Sequence, residues 1–370
     1  MRTLTATDVR RLRLRSNGLS PRTDDSAMGV VSRMGAMQAQ EFWSGQWSVA
    51  ARSTQLDDQA IIDATSRREI LRTWPLRGTI HLIAAEDIHW MLKLAESFAF
   101  KGVERRREFL GLTLEEAQAA VEILRSALDD GEPVTRSRCV EILDDAGLMK
   151  DRGHAYHLLW FSSQMGAICI GPQEGKEQTF VSLERWVGRG VEMTRDEALA
   201  SLAFRYFDGR GPVAAKELVR WTGLTAGDCK RAISLAGDRL VPVQTEFGEM
   251  LVSTGMAESI GVDSVDAPEP DRRMLLLSGF DEYMLGYGDR SAVITPEGAK
   301  KVVPGNNGMF RPTIVDDGQI IGTWKRTVTK TKVKITLEPF AGLTKSQVGG
   351  LDRAAEEYGD FIGLPAQVEL

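Results

Sequence analysis

Cysteine is scarce in this chain of 370 residues, and the three present, Cys139, Cys169 and Cys229, are odd in number and far apart. That excludes a disulfide framework and leads us to expect reduced, buried thiols of a cytoplasmic protein. Histidine is also sparse, with His81, His89, His154 and His157. His154 and His157 stand i, i+3, a metal-compatible spacing, but no cysteine or third histidine accompanies them, so no metal and no cofactor is expected. No run of about 18 apolar residues exists to span a membrane. The arginine-rich N-terminus lacks the apolar segment that would make it a secretory signal. Gly-x-Ser-x-Gly, a lysine-bearing phosphate loop and a dinucleotide fingerprint are all missing, so the common enzyme classes find no hook. Positive charge is short as well: a net charge of −6 argues mildly against a nucleic-acid partner.

The length exceeds one core of ordinary size, so two or more domains are expected. Hydrophobic content of 42% and charged content of 26% are those of an ordinary soluble protein. The charge is segregated. Arg2, Arg10, Arg11, Arg13 and Arg15 crowd the N-terminus, Arg105 to Arg107 are consecutive, and Lys325, Arg326, Lys330, Lys332 and Lys334 lie in a stretch without acids. Acids gather elsewhere, at Asp129-Asp130 and between Val262 and Asp271. Such a protein can bind DNA on one face at overall negative charge.

A plan of helices followed by a hairpin recurs along the chain. Helices are expected over 6–15, 24–41 and 57–68, with Thr5 or Thr7 and Asp57 or Asp58 as N-caps, then two strands between Ile70 and Ile83 around Pro75 and Gly78. A helix over 84–109 follows. Thr113-Leu114-Glu115-Glu116 has the capping-box pattern and opens a second round, with helices to Leu128, over 134–143 and over 151–165, and a hairpin from 167 to 182. Thr194 opens a third round of helices to Tyr206, from Pro212 and to Ala236, with a hairpin from 240 to 252. Gly131-Glu132-Pro133-Val134 and Gly211-Pro212-Val213 sit at matching points, as in a tandem array. The expected fold is mainly α with β wings: three winged helices over 1–110, 111–190 and 191–256. The competing reading is a generic all-α domain carrying hairpins. A polar, proline-containing linker over 257–271 leads to a β-rich, barrel-like domain over 272–370. Its strands are expected at 273–277, 309–315, 319–325 and 332–337, and a closing helix over 346–361.

The stretch from Arg33 to Trp43 reads as a helix with Met34, Met37 and Phe42 on an apolar stripe. Gln38 and Gln40 flank Ala39, and on a helix they would sit about 200° apart. To serve one site they need a helix end that turns both amides inward; in most proteins Gln-x-Gln is only a solvated pair. Tandem winged helices by themselves would suit a DNA-binding transcription regulator.

Four stretches in this order, Gln38-Ala39-Gln40, Arg72-Thr73-Trp74 to His81, Phe280-Asp281-Glu282-Tyr283 to Arg290, and Gly308-Met309-Phe310-Arg311, resemble the winged-helix DNA glycosylases of the AlkZ type, related to the YcaQ group. The resemblance covers almost the whole chain. It implies Gln38 and Gln40 as the catalytic pair; the YcaQ branch carries aspartate at the second position, so Gln40 places this chain nearer AlkZ and suggests narrow specificity. It further implies a metal-free, monofunctional enzyme that leaves an abasic site. The family's C-shaped cleft around duplex DNA needs no deep base pocket, which leaves room for bulky adducts and crosslinks, and some relatives confer self-resistance. The implied partner is double-stranded DNA carrying alkylated bases, met by a monomer. Candidate DNA contacts are Arg77 on the first wing, Asn306, Asn307 and Arg311 at a loop tip, and Lys325, Arg326, Lys330 and Lys332 on the basic run. Asp281 and Asp289-Arg290 are read as a structural, salt-linked turn, and His81 as a core histidine.

Overall fold

The computed structural model describes residues 2–99, 103–260 and 274–369. The first segment packs α1 (Ala6–Ser16), α2 (Ala27–Met34), β1 (Met37–Gln38), α3 (Phe42–Ala50) and α4 (Asp58–Ser66) beside the hairpin β2 (Ile70–Leu76) and β3 (Thr79–Ala84). Thr5 and Asp57 cap α1 and α4, as their sequence positions suggest. After α5 (Ile88–Ala99) and α6 (Val103–Phe109) comes a second set: α7 (Leu114–Ala127), β4 (Val134–Thr135), α8 (Arg136–Asp145), α9 (Arg152–Gln164), β5 (Ile168–Ile170) and β6 (Thr179–Ser182). Then α10 (Leu183–Val187) leads to α11 (Arg195–Arg210), α12 (Glu217–Thr222), α13 (Ala226–Ala236), the hairpin β7 (Leu240–Thr245) and β8 (Gly248–Ser253), and α14 (Thr254–Ile260). The C-terminal part contains β9 (Met274–Leu277), α15 (Glu282–Leu285), α16 (Pro296–Val302), β10 (Thr313–Asp316), β11 (Gln319–Val328), β12 (Val333–Pro339), α17 (Lys345–Phe361) and β13 (Ala366–Glu369).

Most expected elements are present, and the differences have local causes. The helix expected over 24–41 ends at Met34, because Gly35 takes φ 73° and turns the chain into β1. The expected helix over 84–109 is two, with residues 100–102 outside the described ones. The strand expected from Met309 begins only at Thr313, and β13 adds a parallel strand to β12. Most of the linker at 257–271 falls outside the described residues.

The hairpins of the first two segments fuse into one six-stranded sheet, in the order β1-β3-β2-β5-β6-β4. The C-terminal sheet runs β13-β12-β11-β10-β9, and its end strands are not paired with each other among the described residues. It is therefore a curled open sheet, where sequence suggested something barrel-like. The cores do not follow chain order. One joins the first segment to the C-terminal sheet, from Val9, Leu12 and Trp47 to Leu276, Trp324 and Tyr358. Trp47 Nε1 donates to Leu276 O at 2.7 Å across that seam. A second core joins Leu71, Ile83 and Trp90 to Tyr206 and Trp221 of α11 and α12. The N-terminal arginines are ties within this assembly and not a free basic arm. Arg13 is buried, donates to Pro212 O at 3.0 Å and lies over the Tyr287 ring, and Arg11 pairs with Asp317.

Candidate active site

The Gln-x-Gln stretch begins on β1, and Ala39 and Gln40 lie just past the end of that strand. Met37 pairs with Leu82 and Gln38 with His81 on β3, and the Ala39 N–H donates to Ile80 O at 2.9 Å. In extended backbone successive side chains alternate faces, so residues i and i+2 share one. Met37 and Ala39 are buried, Gln38 is half-buried and Gln40 exposed, as that alternation requires. The separation that a helix would impose on the two amides therefore does not arise. Among the described residues the Gln38 amide has no hydrogen-bond partner, so both its donors and its acceptor are free. Gln40 Oε1 accepts from the Ile80 N–H at 3.2 Å, which fixes its amide and leaves a lone pair and the NH2 available.

Charged groups from three other elements hold this strand. Glu282 Oε1 accepts from the Gln38 N–H at 3.1 Å, and Glu282 Oε2 takes Arg210 Nη2 at 2.5 Å and Trp221 Nε1 at 3.2 Å. Arg210 in turn donates to Met34 O at 2.8 Å and Ala36 O at 3.0 Å and stacks over Trp221. Arg72 donates from Nε to Ala39 O at 2.9 Å and from Nη2 to Gln40 O at 3.3 Å. Burial alone would push the Glu282 carboxyl up, but Arg210, with His81 and Arg77 nearby, holds it down to about 2. Glu282 is thus an ionised structural partner with no proton to give at neutral pH. The other adjacent acid, Glu41, is engaged by the Trp43 and Ser44 N–H groups as the N-cap of α3.

His81 faces Gln38 across the ladder and is fully buried. Its Nδ1 lies 2.8 Å from Thr79 O, and its Nε2 lies 3.4 Å from Arg77 Nη2. Burial first, then Arg77, depress it to about 4, so the ring is neutral at pH 7. Arg77 opens the β2–β3 turn with φ 52°, followed by Gly78 at φ 69°. It folds back over His81, half-buried, and burial lowers its own basicity.

The other candidate residues lie on the C-terminal part. Asn306 and Asn307 form an exposed loop tip after α16, and Arg311 is exposed beyond it. Lys325 and Arg326 are on β11; Lys330 and Lys332 are at the turn into β12. Lys325 pairs with Glu338 and Lys332 with Gln367, exposed contacts that are weak enough to exchange for phosphate. Arg326 contacts the Tyr358 hydroxyl, and a small cleft lined by Trp43, Trp47, Trp324, Arg326 and Tyr358 joins β11 to the start of α3. That cleft brings Arg326 of β11 beside the N-terminal turn of α3, the helix that follows the glutamines, and includes neither Gln38 nor Gln40. Asp281 does not link to Arg290. It makes a bidentate, fully buried pair with Arg52 of the first segment, and Asp289 accepts from Ser291. No group of three or more potential metal ligands gathers among the described residues. Arg72, Arg210 and Glu282 are functional in holding the motif yet were not legible as such, since their partners lie up to 244 residues away.

A family model described as DNA glycosylase AlkZ-like matches residues 31–361, which span the glutamine strand, the six-stranded sheet, the C-terminal sheet as far as β12, and α17. The chain belongs to that family. Among AlkZ-like proteins it is 26% identical over 362 residues to a Streptomyces sahachiroi protein named "Interstrand DNA cross-link repair glycosylase", covering 95% of each chain. The fold matches that of the solved Streptomyces sahachiroi DNA glycosylase AlkZ with a TM-score of 0.80 at 24% identity, covering 100% of both chains. As an AlkZ-like DNA glycosylase, this chain is an enzyme of DNA repair. No helix among its described residues is long and apolar enough to cross a membrane.

Proposed function

We propose that this AlkZ-like glycosylase hydrolyses the N-glycosidic bond of N7- or N3-alkylated purines in duplex DNA, with Gln38 and Gln40 as the catalytic residues. One observation carries the reading. Two neutral amides, Gln38 on β1 and Gln40 just past its end, flank a buried Ala39 held by Ile80 and Arg72, while the carboxylates beside them, Glu41 and Glu282, are committed to a helix cap and a buried ion pair.

An alkylated purine suits such a site. Its base already carries a positive charge, so the bond from C1′ to the base breaks with its electron pair neutralising the leaving group, and no acid is needed. The sugar develops oxocarbenium character, water adds at C1′, and the proton leaves to solvent. Gln40, its carbonyl already oriented by Ile80, holds the water. Gln38 fixes the sugar-phosphate and shares in stabilising the cationic sugar. Neutral amides supply too little general-base help to cleave intact nucleotides, which makes the missing carboxylate a source of selectivity.

The three helix-and-hairpin segments act as winged-helix modules, over 1–110, 111–190 and 191–256, with 272–370 as the domain that closes the cleft. Arg77, Asn306, Asn307, Arg311, Lys325, Arg326, Lys330 and Lys332 contact the duplex. The enzyme works as a cytoplasmic monomer, without metal or cofactor. Its relative's name supports interstrand crosslinks as a further substrate, and unhooking them would give a self-resistance or repair role. Single-turnover excision on a duplex with one N7-methylguanine tests the reading, with Gln38→Ala, Gln40→Ala and the double variant checked for folding. Abasic sites that disappear in the variants while DNA affinity persists support it. Failure of wild type on N7-methylguanine, a bulky adduct and a crosslink alike overturns it.

A further inference from the structure

At Ala39 and Gln40 the chain leaves the sheet, and two carbonyls lose the strand partner that β1 residues have. Both are taken by one side chain, Arg72, which reaches from β2 across β3. Among the described residues no carboxylate lies within ion-pair distance of Arg72. The Phe42 ring lies beside it, with the guanidinium carbon 5.3 Å from the centroid. An arginine packed into protein without a bound acid is costly to hold there. The position therefore calls for a reason beyond general packing, and the carbonyl of Gln40 itself is the last atom the guanidinium grips.

We propose that Arg72 is a positioning residue for Gln40, fixing the backbone from which the water-holding amide projects. The inference rests on the proposed role of Gln40. A planar fork suits two carbonyls on successive residues in a way that a point-charge ammonium does not. Together with the Ile80 N–H, Arg72 pins Gln40 at both ends, backbone carbonyl and side-chain oxygen. The strand thereby presents the amide without reorganisation when substrate binds. Burial draws the Arg72 guanidinium down to about 10, still charged at neutral pH.

The test is a double-mutant cycle on the N7-methylguanine duplex, in single turnover with saturating enzyme, alongside DNA affinity for each variant. Arg72→Met in the wild-type background is expected to slow excision by about 10- to 100-fold, the usual consequence of misplacing a catalytic group. Affinity should stay within about twofold. In the Gln40→Ala background the same change should cost less than about twofold, because the residue it positions is gone. Arg72→Lys should fall between, since it keeps the charge and loses the fork. If Arg72→Met does not fold, Arg72→Lys carries the same cycle. Equal losses in both backgrounds make Arg72 a general structural residue and overturn the proposal. A loss of affinity at unchanged excision rate makes it a phosphate contact and also overturns it. If Gln40→Ala keeps the wild-type rate, the reading of Gln40 falls and this inference falls with it.

Discussion

The site's chemistry is set by which side chains are left without partners. Gln38 is free and Gln40 is half-engaged, so truncation of either should act on the chemical step. We expect Gln40→Ala to lose on the order of 100-fold in single-turnover rate, comparable to removing one preorganised polar group from a hydrolytic site, with affinity unchanged. His81, directly across from Gln38, has a different role. Its ring is neutral and wedged between Thr79 and Arg77. Because burial and then Arg77 hold it at about 4, below its ordinary value near 6.5, the unfolded chain binds a proton that the folded one refuses. Stability from this residue is therefore full above about pH 6.5 and is lost as pH falls toward 4, by about 3 kcal/mol. Urea denaturation at intervals from pH 7 to 4 should show that loss in wild type and a flatter profile in His81→Asn. An identical slope in both would remove His81 as the cause. Excision itself should show no inflection from His81 between pH 6 and 8.

At the scale of elements, the glutamine strand is squeezed between β3 and α3. A Cβ added at Gly45 of α3 would stand 2.7 Å from Ala39 Cβ and 3.1 Å from Ala39 Cα. Gly45→Ala must therefore push α3 or the strand aside, at a cost of about 1–3 kcal/mol, and move both glutamines. We expect a lower midpoint by circular dichroism together with slower excision; a variant that melts lower at full rate would uncouple α3 from the site. The β11–β12 turn makes a different contribution. Lys330→Ala and Lys332→Ala should each weaken DNA binding and lower the salt slope by about one, with the rate at saturation preserved. The elements also show what sequence could reveal. Capping boxes at Thr5, Thr113 and Thr194 mark helix starts directly, because cap and partner stand three residues apart. Around Gln38 the same reasoning misled. Met34, Met37 and Phe42 mimic a helical stripe, yet Gly35 ends α2, β3 recruits Met37 and Gln38, and Glu41 starts α3 afresh. That outcome depends on β3, Glu282 and Arg210, which no local window contains. The family signatures include Glu282 without revealing that it serves Gln38 through its backbone.

The whole molecule is organised so that its last part completes its first. Trp47, Val49 and Leu12 share a core with Leu276, Trp324 and Tyr358, and Arg52 pairs with Asp281 at 0% and 2% side-chain exposure. Arg210 and Glu282 form a second such pair, at 0% and 1%, between α11 and α15, with the glutamine strand lying on it. Buried pairs like these are costly to break from one side, about 3–5 kcal/mol, because the surviving charge has no water and no partner. Glu282→Ala should therefore destabilise the entire chain, leave Arg210 uncompensated and release Gln38 at once. Replacing both partners by methionine should cost much less stability while still slowing excision, since the Gln38 N–H loses its acceptor either way. The same seam bears on how the modules proposed from sequence can exist apart. A fragment of residues 1–256 would contain all three helix-and-hairpin segments, yet it would expose the face of α1 and α3 that the C-terminal sheet covers. It would also leave Arg52 and Arg210 buried or half-buried without their acids. We expect that fragment to retain helical far-ultraviolet signal, bind ANS and melt without a sharp transition, while the full chain unfolds in a single step across its N- and C-terminal halves. Cooperative melting of the isolated fragment, with no ANS binding, would show that the first segment closes its own core and that the C-terminal sheet is an attachment.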